Sequence, residues 1–432
     1  MPPLNIFLTT WNTGLQGSKA QSQDLTSWLL PVLQRTANDP ELPQGSIPDL
    51  YVISVQELLP VHLALAGLSR PVLTILTERI QSLLSAHATS LIPEKQTEKE
   101  EYTLVSRVSH VGVALWVFAR SKTMDGKLGK SLASSLGLYY GGMGNKSAVG
   151  VRLPVKRSEN GGWEVLTFVN THLEAHNHNI PRRNTQYQNI LSSLVFQPSD
   201  PLAEPYQIFD TSHLFIMGDL NYRLSKRPSA ESLRESGEVD DIQLEKDRNE
   251  MILLDTLKRE QNAGRVFVGL REGELNRFAP TYKRVVGQVE GYSKKRIPGW
   301  TDRILFASHT DDPSSSDTTK IAHYSSTPEL TISDHKPVHA VLSLPGPAPS
   351  SSIAATAPHL APVLTTSFPR TPATSKEIIW AWKLMGMFLD RLIGWPWCVV
   401  VALGGGNERT GLGVGAFIAM VWGVWWSGVW SG

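Results

Sequence analysis

The amino-acid sequence predicts a layered α/β sandwich, and two observations support this fold class. Short runs of β-branched and aromatic residues recur over residues 1–345, and several are apolar at every position, as in strands that are covered on both faces. Segments with apolar residues at helical spacing lie between these runs, and long polar loops connect the two kinds of element.

The predicted strands are the apolar runs themselves. Val, Ile, Phe and Thr dominate them, and these residue types are enriched in β-strands. The first run is "NIFLTTW" and the last is "PVHAVLSL". The full set covers residues 5–11, 49–57, 110–120, 148–155, 164–173, 213–220, 303–308 and 337–344.

Helices are predicted between the strands. Residues 24–37 have apolar residues at helical spacing and Asp24 as a cap, although Pro31 lies inside the pattern. Residues 71–88 begin with a proline, which is favourable in a first helical turn, and residues 183–196 repeat the helical spacing.

Charge and cysteine content limit the class of protein. The formal net charge of +1 argues against a chain built to bind nucleic acid non-specifically, and no nucleic-acid partner is expected. The single cysteine, Cys398, excludes an intramolecular disulfide and favours a reducing compartment. The start "MPPLNIFLTTWN" lacks the basic and long apolar regions of a signal peptide, so we expect the first 345 residues in the cytosol.

Polar side chains follow several predicted strands at the point where the strand ends. Asn12, Glu57, Asp219 and Asn221 are placed in this way, and a rigid sheet can direct such residues to one point. A carboxylate such as Glu57 suits Mg²⁺, which prefers oxygen ligands. Asp219 and Asn221 share one strand face, so they could act on water and phosphate together. Solvated strand ends, Asx turns and helix caps are the alternatives.

Histidines add a second set of candidates. His172 lies at the end of a predicted strand and could donate a hydrogen bond to a phosphoryl oxygen. His335 follows Asp334 before the last strand, and a histidine in such a role needs a carboxylate to fix its tautomer. His176 and His178 suggest zinc, but no cysteine lies nearby in sequence to complete a zinc-like pattern, so we expect no zinc site.

Basic residues are concentrated near residue 300. Lys283, Lys294 and Arg296 precede the stretch "PGWTDRIL", and Lys146 follows a glycine-rich turn. Cations beside a strand end with catalytic polar residues favour a pocket for several phosphates. A solvated charged face is the alternative.

Eight motifs in order resemble those of the inositol polyphosphate 5-phosphatases, a family of the endonuclease/exonuclease/phosphatase superfamily. They are "TWNTG", "VQEL", "GGMGNKSAVGVR", "NTHLEAHNHNIPRRNTQY", "GDLNYRL", "APTYKRVV", "KKRIPGWTDRIL" and "SDHKPV", and the resemblance covers roughly residues 4–345. It implies a four-layered α/β sandwich of the DNase I-like type and a Mg²⁺ cofactor. Departures such as Ser147, where the family usually has glycine after "GNK", leave the preferred substrate open.

The resemblance also implies roles for particular residues. Glu57 would be the metal ligand, supported by Asn12, and the expected reaction is Mg²⁺-dependent hydrolysis of the 5-phosphate of phosphatidylinositol 4,5-bisphosphate. The catalytic set would be His172 and His335 on the scissile phosphate, Asp219 on the attacking water with Asn221 beside it, Asp302 orienting His335, and Asp334 assisting. The substrate-binding set would be Lys283, Lys294 and Arg296 on the neighbouring ring phosphate, with Lys146 and Arg183 at other basic positions.

The C-terminal part predicts a linker and a hydrophobic helical tail. Residues 346–375 are rich in Pro, Ser and Thr, which is typical of a disordered linker. In the tail, residues 376–432, the segment 411–432 has no charge and is long enough to span a bilayer, whereas 392–406, broken by Pro396, is expected to be short or interfacial. A helical hairpin packed on the catalytic domain, residues 1–345, is the alternative.

An anchored tail predicts where the protein acts. The resemblance extends to tail-anchored phosphatidylinositol 4,5-bisphosphate 5-phosphatases, so we expect a phosphoinositide lipid substrate and an endoplasmic reticulum membrane with the catalytic domain in the cytosol. A flexible tether would leave the rate on soluble substrate unchanged after truncation near Ser375. The rival functions are a phosphodiesterase or nuclease of the same superfamily and a catalytically dead membrane scaffold.

Overall fold

The computed structural model describes residues 3–14, 27–42, 46–92, 99–157, 162–200, 202–235, 241–309, 311, 318–345 and 374–429. Its strands are β1 (Leu4–Asn12), β2 (Leu50–Gln56), β3 (Tyr102–His110), β4 (Val113–Arg120), β5 (Leu132–Gly137), β6 (Ser147–Lys156), β7 (Trp163–His172), β8 (His213–Asp219), β9 (Asp302–Ser308), β10 (Lys320–Ser326) and β11 (Val338–Leu344). Its helices are α1 (Leu29–Ala37), α2 (Val61–Leu65), α3 (Ser69–Ser90), α4 (Ser121–Met124), α5 (Ile180–Ser193), α6 (Asp241–Ile252), α7 (Thr256–Asn262), α8 (Lys376–Leu403) and α9 (Glu408–Val429).

Two mixed sheets form the centre of the molecule. One has the order β10-β11-β1-β2-β4-β3 and the other β5-β6-β7-β8-β9. β1 and β2 are parallel, as are β7 and β8, and the other neighbours in both sheets are antiparallel. The carboxyl ends of β1, β2, β7 and β8 carry polar residues, which makes this arrangement important for the candidate site.

The layers follow from which face of each strand is apolar. Successive side chains of a strand point to opposite faces, so a strand that is apolar throughout contributes to two cores. In β1, Ile6 and Leu8 enter the core between the two sheets, whereas Phe7 and Trp11 enter the outer core beneath α1 and α3. A third core, which contains Tyr187 and Ile190, lies between the other sheet and α5 and α7. The predicted four-layered α/β sandwich is therefore confirmed.

The predicted helices are present with shifted ends. α1 begins at Leu29, so Pro31 lies in the first turn, where a backbone N–H has no partner within the helix and a proline is tolerated. The proposed cap Asp24 lies outside the described residues. α3 extends the predicted helix 71–88 to Ser69–Ser90, and α5 begins at Ile180.

The tail consists of two helices, and its placement differs from the prediction. Residues 392–403 are not a separate interfacial segment, because α8 runs through Pro396 to Leu403. This part of α8 contacts α2, since Cys398 Sγ lies 3.5 Å from the His62 carbonyl oxygen. Among the described residues, α8 is the helix with the length and composition to cross a membrane, whereas the sequence analysis placed the span at 411–432, largely within α9.

α8 also packs on the sandwich, as the alternative of a packed hairpin predicted. Ile379, Gly386, Asp390 and Gly394 form its buried face. Most of the predicted linker lies outside the described residues, but its end is attached, because the Thr374 N–H donates to the Ser192 carbonyl at 2.9 Å. This packing argues against the expectation of a loose tether.

Candidate active site

The sheet register brings the polar strand ends together. Asn12 pairs with Gln56 across the parallel strands β1 and β2, and His172 pairs with Asp219 across β7 and β8. Asp219 also pairs with Asp302, the first residue of β9. Because the Asn12 amide reaches Asp219 across the two sheets, these ends form one cluster rather than two.

A buried polar link holds the two sheets in this register. Asn170 of β7 donates to the carbonyls of Val55 and Ala114 at 3.0 and 2.8 Å, and it accepts from Gln56 Nε2 at 2.6 Å. All of these groups are buried, so an unmade bond would be costly. Asn170 therefore fixes β7 against the opposite sheet two residues before His172.

Asp219 is the central acid of the cluster. Its Oδ2 accepts from Asn12 Nδ2 at 2.9 Å and its Oδ1 accepts from the Asn221 backbone N–H at 3.0 Å. Burial raises the pKa of Asp219 to about 6, with a further upward contribution from Asp302, while His335 and Lys146 oppose the shift. A carboxylate with this pKa can accept a proton near neutral pH.

His335 and Asp302 form a buried pair. His335 Nδ1 lies 2.9 Å from Asp302 Oδ2, and the Thr281 and Thr301 hydroxyls donate to the same oxygen at 2.7 and 3.0 Å. Burial lowers the pKa of His335, but the carboxylates of Asp302 and Asp219 outweigh it and raise the value to about 10. The imidazole is therefore cationic at neutral pH, and its Nε2 faces Asp219 Oδ2 at 3.9 Å.

His172 has the opposite electrostatic state. Burial, together with the neighbouring cations Lys146 and His335, holds the pKa of His172 well below its usual range, so the ring is neutral. Its Nε2 lies 2.5 Å from Lys146 Nζ, 3.4 Å from Asp219 Oδ2 and 3.7 Å from Glu57 Oε1. Since the lysine donates, Nε2 is the accepting nitrogen, and Lys146 carries the N–H groups at this point.

Glu57 lies at the mouth of the cluster, with its side chain 35% exposed. Its φ of +49° is in the left-handed region that few residues other than glycine adopt. The Thr13 hydroxyl holds this conformation by donating to the Glu57 carbonyl at 2.6 Å. Such strain is concentrated at functional sites, where the surrounding structure maintains it.

The donor set at the mouth fits a hard cation. Glu57 Oε1 and Asp219 Oδ2 both lie within 4 Å of His172 Nε2, at 3.7 and 3.4 Å, and carboxylate oxygens suit Mg²⁺ or Ca²⁺. The predicted support of Glu57 by Asn12 is not what the contacts show, because the Asn12 side chain bonds Asp219 and the Gly14 N–H instead. Asn12 therefore orients the central acid.

Within the described part of the chain, two other groups of potential ligands meet the distance requirement for a metal. Asp219, Asp302 and His335 are one, but a cationic imidazole bonded to Asp302 competes with a metal there. Glu164, His213 and His309 are the other, at the opposite end of β7 and β8. Arg157 already neutralises Glu164 at 2.8 Å, which disfavours a second cation.

The basic residues separate into distinct environments. Lys283 Nζ lies 2.6 Å from Asp334 Oδ2. Burial raises the pKa of Asp334, but His335 and Lys283 outweigh this effect and hold the pKa below its usual value, so the acid is ionised. Lys294 and Arg296 are exposed, and Arg296 reaches His176 Nδ1 at 3.4 Å. Lys283, Lys294 and Arg296 lie on one loop, and Lys283 connects this loop to the cluster through its bond to Asp334.

Arg183 is placed differently from the prediction. It is fully buried, and its Nη1 donates to the carbonyls of Glu174 and His176 at 2.9 and 2.7 Å. The guanidinium therefore holds the loop after β7, and this position gives no support to the predicted direct contact with substrate.

Arg223 was not among the predicted site residues. Its guanidinium donates to Asn221 Oδ1 at 3.2 Å and lies 4.5 Å from the centre of the Tyr282 ring, which in turn packs against His335. Arg223 belongs to the motif "GDLNYRL", but strand alternation could not have placed it, because β8 ends at Asp219 and Asn221 has a φ of +57°.

Comparisons with known proteins agree with this architecture. A family model described as endonuclease/exonuclease/phosphatase family 2 matches residues 9–341. Synaptojanin-2 of Homo sapiens is 24% identical over 368 residues, 79% of this chain and 22% of that protein. Type II inositol 1,4,5-trisphosphate 5-phosphatase of Mus musculus is 30% identical over 301 residues, 69% of this chain and 27% of that protein. The chain thus spans about a quarter of the length of these two relatives.

A solved structure shares the fold. It is the inositol polyphosphate 5-phosphatase domain of SPsynaptojanin in complex with inositol (1,4)-bisphosphate and calcium ion, with a TM-score of 0.55, 26% identity, and coverage of 79% of this chain and 84% of that one. The family model extends from β1 to β11 and includes the residues around Asp219. This chain therefore belongs to endonuclease/exonuclease/phosphatase family 2.

Proposed function

We propose that this chain is a phosphoinositide 5-phosphatase, which hydrolyses the 5-phosphate of phosphatidylinositol 4,5-bisphosphate. The observation that carries the proposal is the pairing of a proton acceptor, Asp219, with the cationic His335 at 3.9 Å. Inositol phosphate chemistry is named in the type II inositol 1,4,5-trisphosphate 5-phosphatase and in the synaptojanin domain that this chain resembles.

In this proposal Asp219 activates the attacking water. Water attacks phosphorus as its proton passes to Asp219, and the bond from phosphorus to the inositol oxygen breaks. The leaving oxygen takes up a proton from solvent, so the products are inorganic phosphate and the free inositol hydroxyl. Hydrogen bonds from Asn12 and the Asn221 N–H leave the carboxylate in one orientation. Positioning of this kind removes much of the entropic barrier to attack.

The charge that develops on the phosphoryl group would be stabilised by fixed cations. His335 remains protonated because Asp302 is bonded to Nδ1, so its Nε2–H is free to donate. Lys146 donates from the side of His172. Arg223 lies beside Asn221 and adds a buried positive charge. Preorganised donors in a buried site are the main source of such stabilisation.

Mg²⁺ is the proposed cofactor, with Glu57 as the main ligand. When bound, the metal would supply Lewis-acid polarisation of a phosphoryl oxygen. The chain contributes the strained backbone that directs Glu57 to the mouth of the cluster and the Thr13 hydroxyl that holds it. Asp334, the residue before His335, contributes indirectly, since its bond to Lys283 at 2.6 Å fixes the position of that cation.

Recognition of a second phosphate is assigned to the loop at residues 283–296. Lys294 and Arg296 are exposed, so they are available to a ring phosphate that is not cleaved. We assign catalysis to residues 1–345, linkage to 346–375 and membrane attachment to 376–432. The outer face of α8 exposes Trp380, Phe388 and Trp395 by 51 to 65%, which suits the interface of an endoplasmic reticulum membrane with the catalytic domain in the cytosol.

The test is phosphate release from a panel of phosphoinositides and soluble inositol phosphates, with and without Mg²⁺. We expect release from substrates with a 5-phosphate and loss of activity when the metal is chelated. Cleavage of a phosphodiester in preference to these substrates would instead assign the nuclease or phosphodiesterase function. Absence of turnover on every substrate would leave the membrane scaffold.

A further inference from the structure

The tail helix α8 contacts the sandwich with its backbone, at two glycines. Gly386 and Gly394 lie eight residues apart on the buried face, with Asp390 midway between them. A Cβ atom on Gly386 would lie 2.0 Å from the Gly142 carbonyl oxygen, and one on Gly394 would lie 2.4 Å from the Ala66 nitrogen. No other residue type fits either position without a shift of the backbone, so the close approach depends on both glycines.

An acidic side chain lies at the centre of this contact. Asp390 is 1% exposed, and its two carboxylate oxygens lie 3.1 and 3.3 Å from the Gly144 backbone nitrogen, whose N–H they accept. A buried carboxylate is costly unless hydrogen bonds compensate for lost water. The next residue, Arg391, donates to the Leu65 carbonyl, so two successive charged side chains of a mainly apolar helix bond the catalytic domain.

The contacted loop leads directly into the candidate active site. Gly144 precedes Lys146 by two residues, and Lys146 Nζ lies 2.5 Å from His172 Nε2. The loop is closed at its base, because the Leu138 N–H donates to the Lys146 carbonyl at 2.7 Å. Its tip is the turn Tyr140–Gly142, which lies against α8. A hydrogen bond at Gly144 thus fixes the loop between its tip and Lys146.

We propose that Asp390 is a positioning residue of the active site, which acts through the Gly144 N–H to hold Lys146 beside His172. The proposal rests on the function proposed above, in which Lys146 donates a hydrogen bond to a phosphate of the substrate. It makes the docked tail helix part of the catalytic unit rather than a tether. Detachment of α8 would then weaken catalysis even on a substrate that needs no membrane.

The test compares variants of the full chain in detergent micelles, with a water-soluble inositol phosphate as substrate. We expect Asp390→Ala to lower kcat/KM about tenfold, because small displacements of a positioned group are costly. Asp390→Asn keeps an oxygen that can accept the Gly144 N–H and should recover most of the activity. Leu384→Ala, on a 61% exposed side chain of the same helix, is the matched control and should match the wild type.

A double-mutant cycle separates positioning from general stability. In a Lys146→Ala background, Asp390→Ala should cause little further loss, because its effect passes through Lys146. A merely structural role predicts the same loss in both backgrounds, which would overturn the proposal. Hydrogen–deuterium exchange of peptides covering residues 139–146 should be faster in Asp390→Ala, while residues 320–326 in β10 should be unchanged.

Unchanged exchange at residues 139–146 would also overturn the proposal. The exchange measurement needs no turnover, so it tests the docking even if the wild-type chain releases no phosphate. Absence of phosphate release by the wild-type chain would contradict the proposed function. The contact between Asp390 and Gly144 would then be judged by hydrogen exchange alone.

Discussion

Asp302 Oδ2 lies 2.9 Å from His335 Nδ1, and this contact explains an acid at the start of a buried strand. Asp302 is the first residue of β9 and is fully buried, and two threonine hydroxyls donate to the same oxygen. The neighbouring Arg303 is equally buried but bonds a different set of residues, Asp255 and Glu272. Asp302 therefore belongs to the candidate site, whereas the adjacent Arg303 stabilises the core.

Asp302→Asn should shift the pH dependence of activity. The carboxylate is the main group that raises the pKa of His335 to about 10, so its removal should lower that pKa and cause activity to decline at a lower pH. In the folded protein the pKa of His335 lies above its usual value of 6.5. Protonated His335 therefore stabilises the fold fully below about pH 6.5, and this stabilisation is lost as the pH rises through about 10. A pH–rate profile from pH 6 to 10 tests this, with exposed Asp125→Asn as control; an unchanged alkaline limb would contradict the assignment.

Asp219→Asn should remove most turnover. General-base catalysis typically contributes about 10²- to 10⁴-fold, and an amide cannot accept the proton. In the wild type, kcat should fall below about pH 6 as Asp219 becomes protonated, since burial raises its pKa to that value. Measurements of kcat from pH 4.5 to 8 decide the point. Retention of more than about a tenth of wild-type kcat by the variant would show that another group accepts the proton.

Arg303→Met should destabilise the protein without a matching loss of activity per folded molecule. Arg303 Nη1 lies 3.0 Å from Asp255 Oδ2, and its Nε lies 2.7 Å from Glu272 Oε2. The variant therefore leaves buried Asp255 without this cation and Glu272 with Lys258 alone, at 2.7 Å. Breaking a buried pair costs about 3–5 kcal/mol. Urea unfolding measures this cost, and Arg277→Ala, which breaks exposed pairs, should cost less than about 1 kcal/mol. Equal costs would contradict the structural role.

Most of the fold could be predicted from the apolar runs, and the strands that were not predicted share a physical reason. β3, β5 and β10 were missed, and each lies at the edge of a sheet. An edge strand has fewer neighbours, so its sequence carries more polar residues, as in "LASSLG" of β5. β9 is also an edge strand, but it is buried throughout and was therefore found.

The candidate site could be predicted where a polar residue ends a buried strand. Strand pairing brings His172 beside Asp219, and Asn12, at the end of β1, reaches Asp219 across the two sheets. The burial of Arg183 could not be predicted, because a motif position does not reveal how exposed a side chain is. The docking of α8 was expected only as an alternative, since it depends on the fit of Gly386 to Gly142, a contact between residues 244 positions apart.

Glu57→Gln should weaken Mg²⁺ binding. The neutral amide keeps one oxygen but loses the charge that favours a divalent cation. We expect the Mg²⁺ concentration for half-maximal activity to rise at least about tenfold. Calorimetric titration of Mg²⁺ gives the same comparison without turnover, and Glu101→Gln, at an exposed position, is the control. If binding and activation are unchanged, the metal is held elsewhere.

Lys294→Ala combined with Arg296→Ala should impair substrates with more than one phosphate selectively. Both side chains are exposed on the loop that also carries Lys283, so they can bind a ring phosphate that is not cleaved. Hydrogen bonds to charged groups contribute about 1.5–3 kcal/mol each, so the loss of both should lower kcat/KM on inositol 1,4,5-trisphosphate by about 10²- to 10⁴-fold. A simple aryl phosphate offers no second phosphate and should show little change, because remote binding energy is absent. Lys295→Ala, at the exposed position between the two, is the matched control. Equal losses on both substrates would show that the pair supports the loop and does not select the substrate.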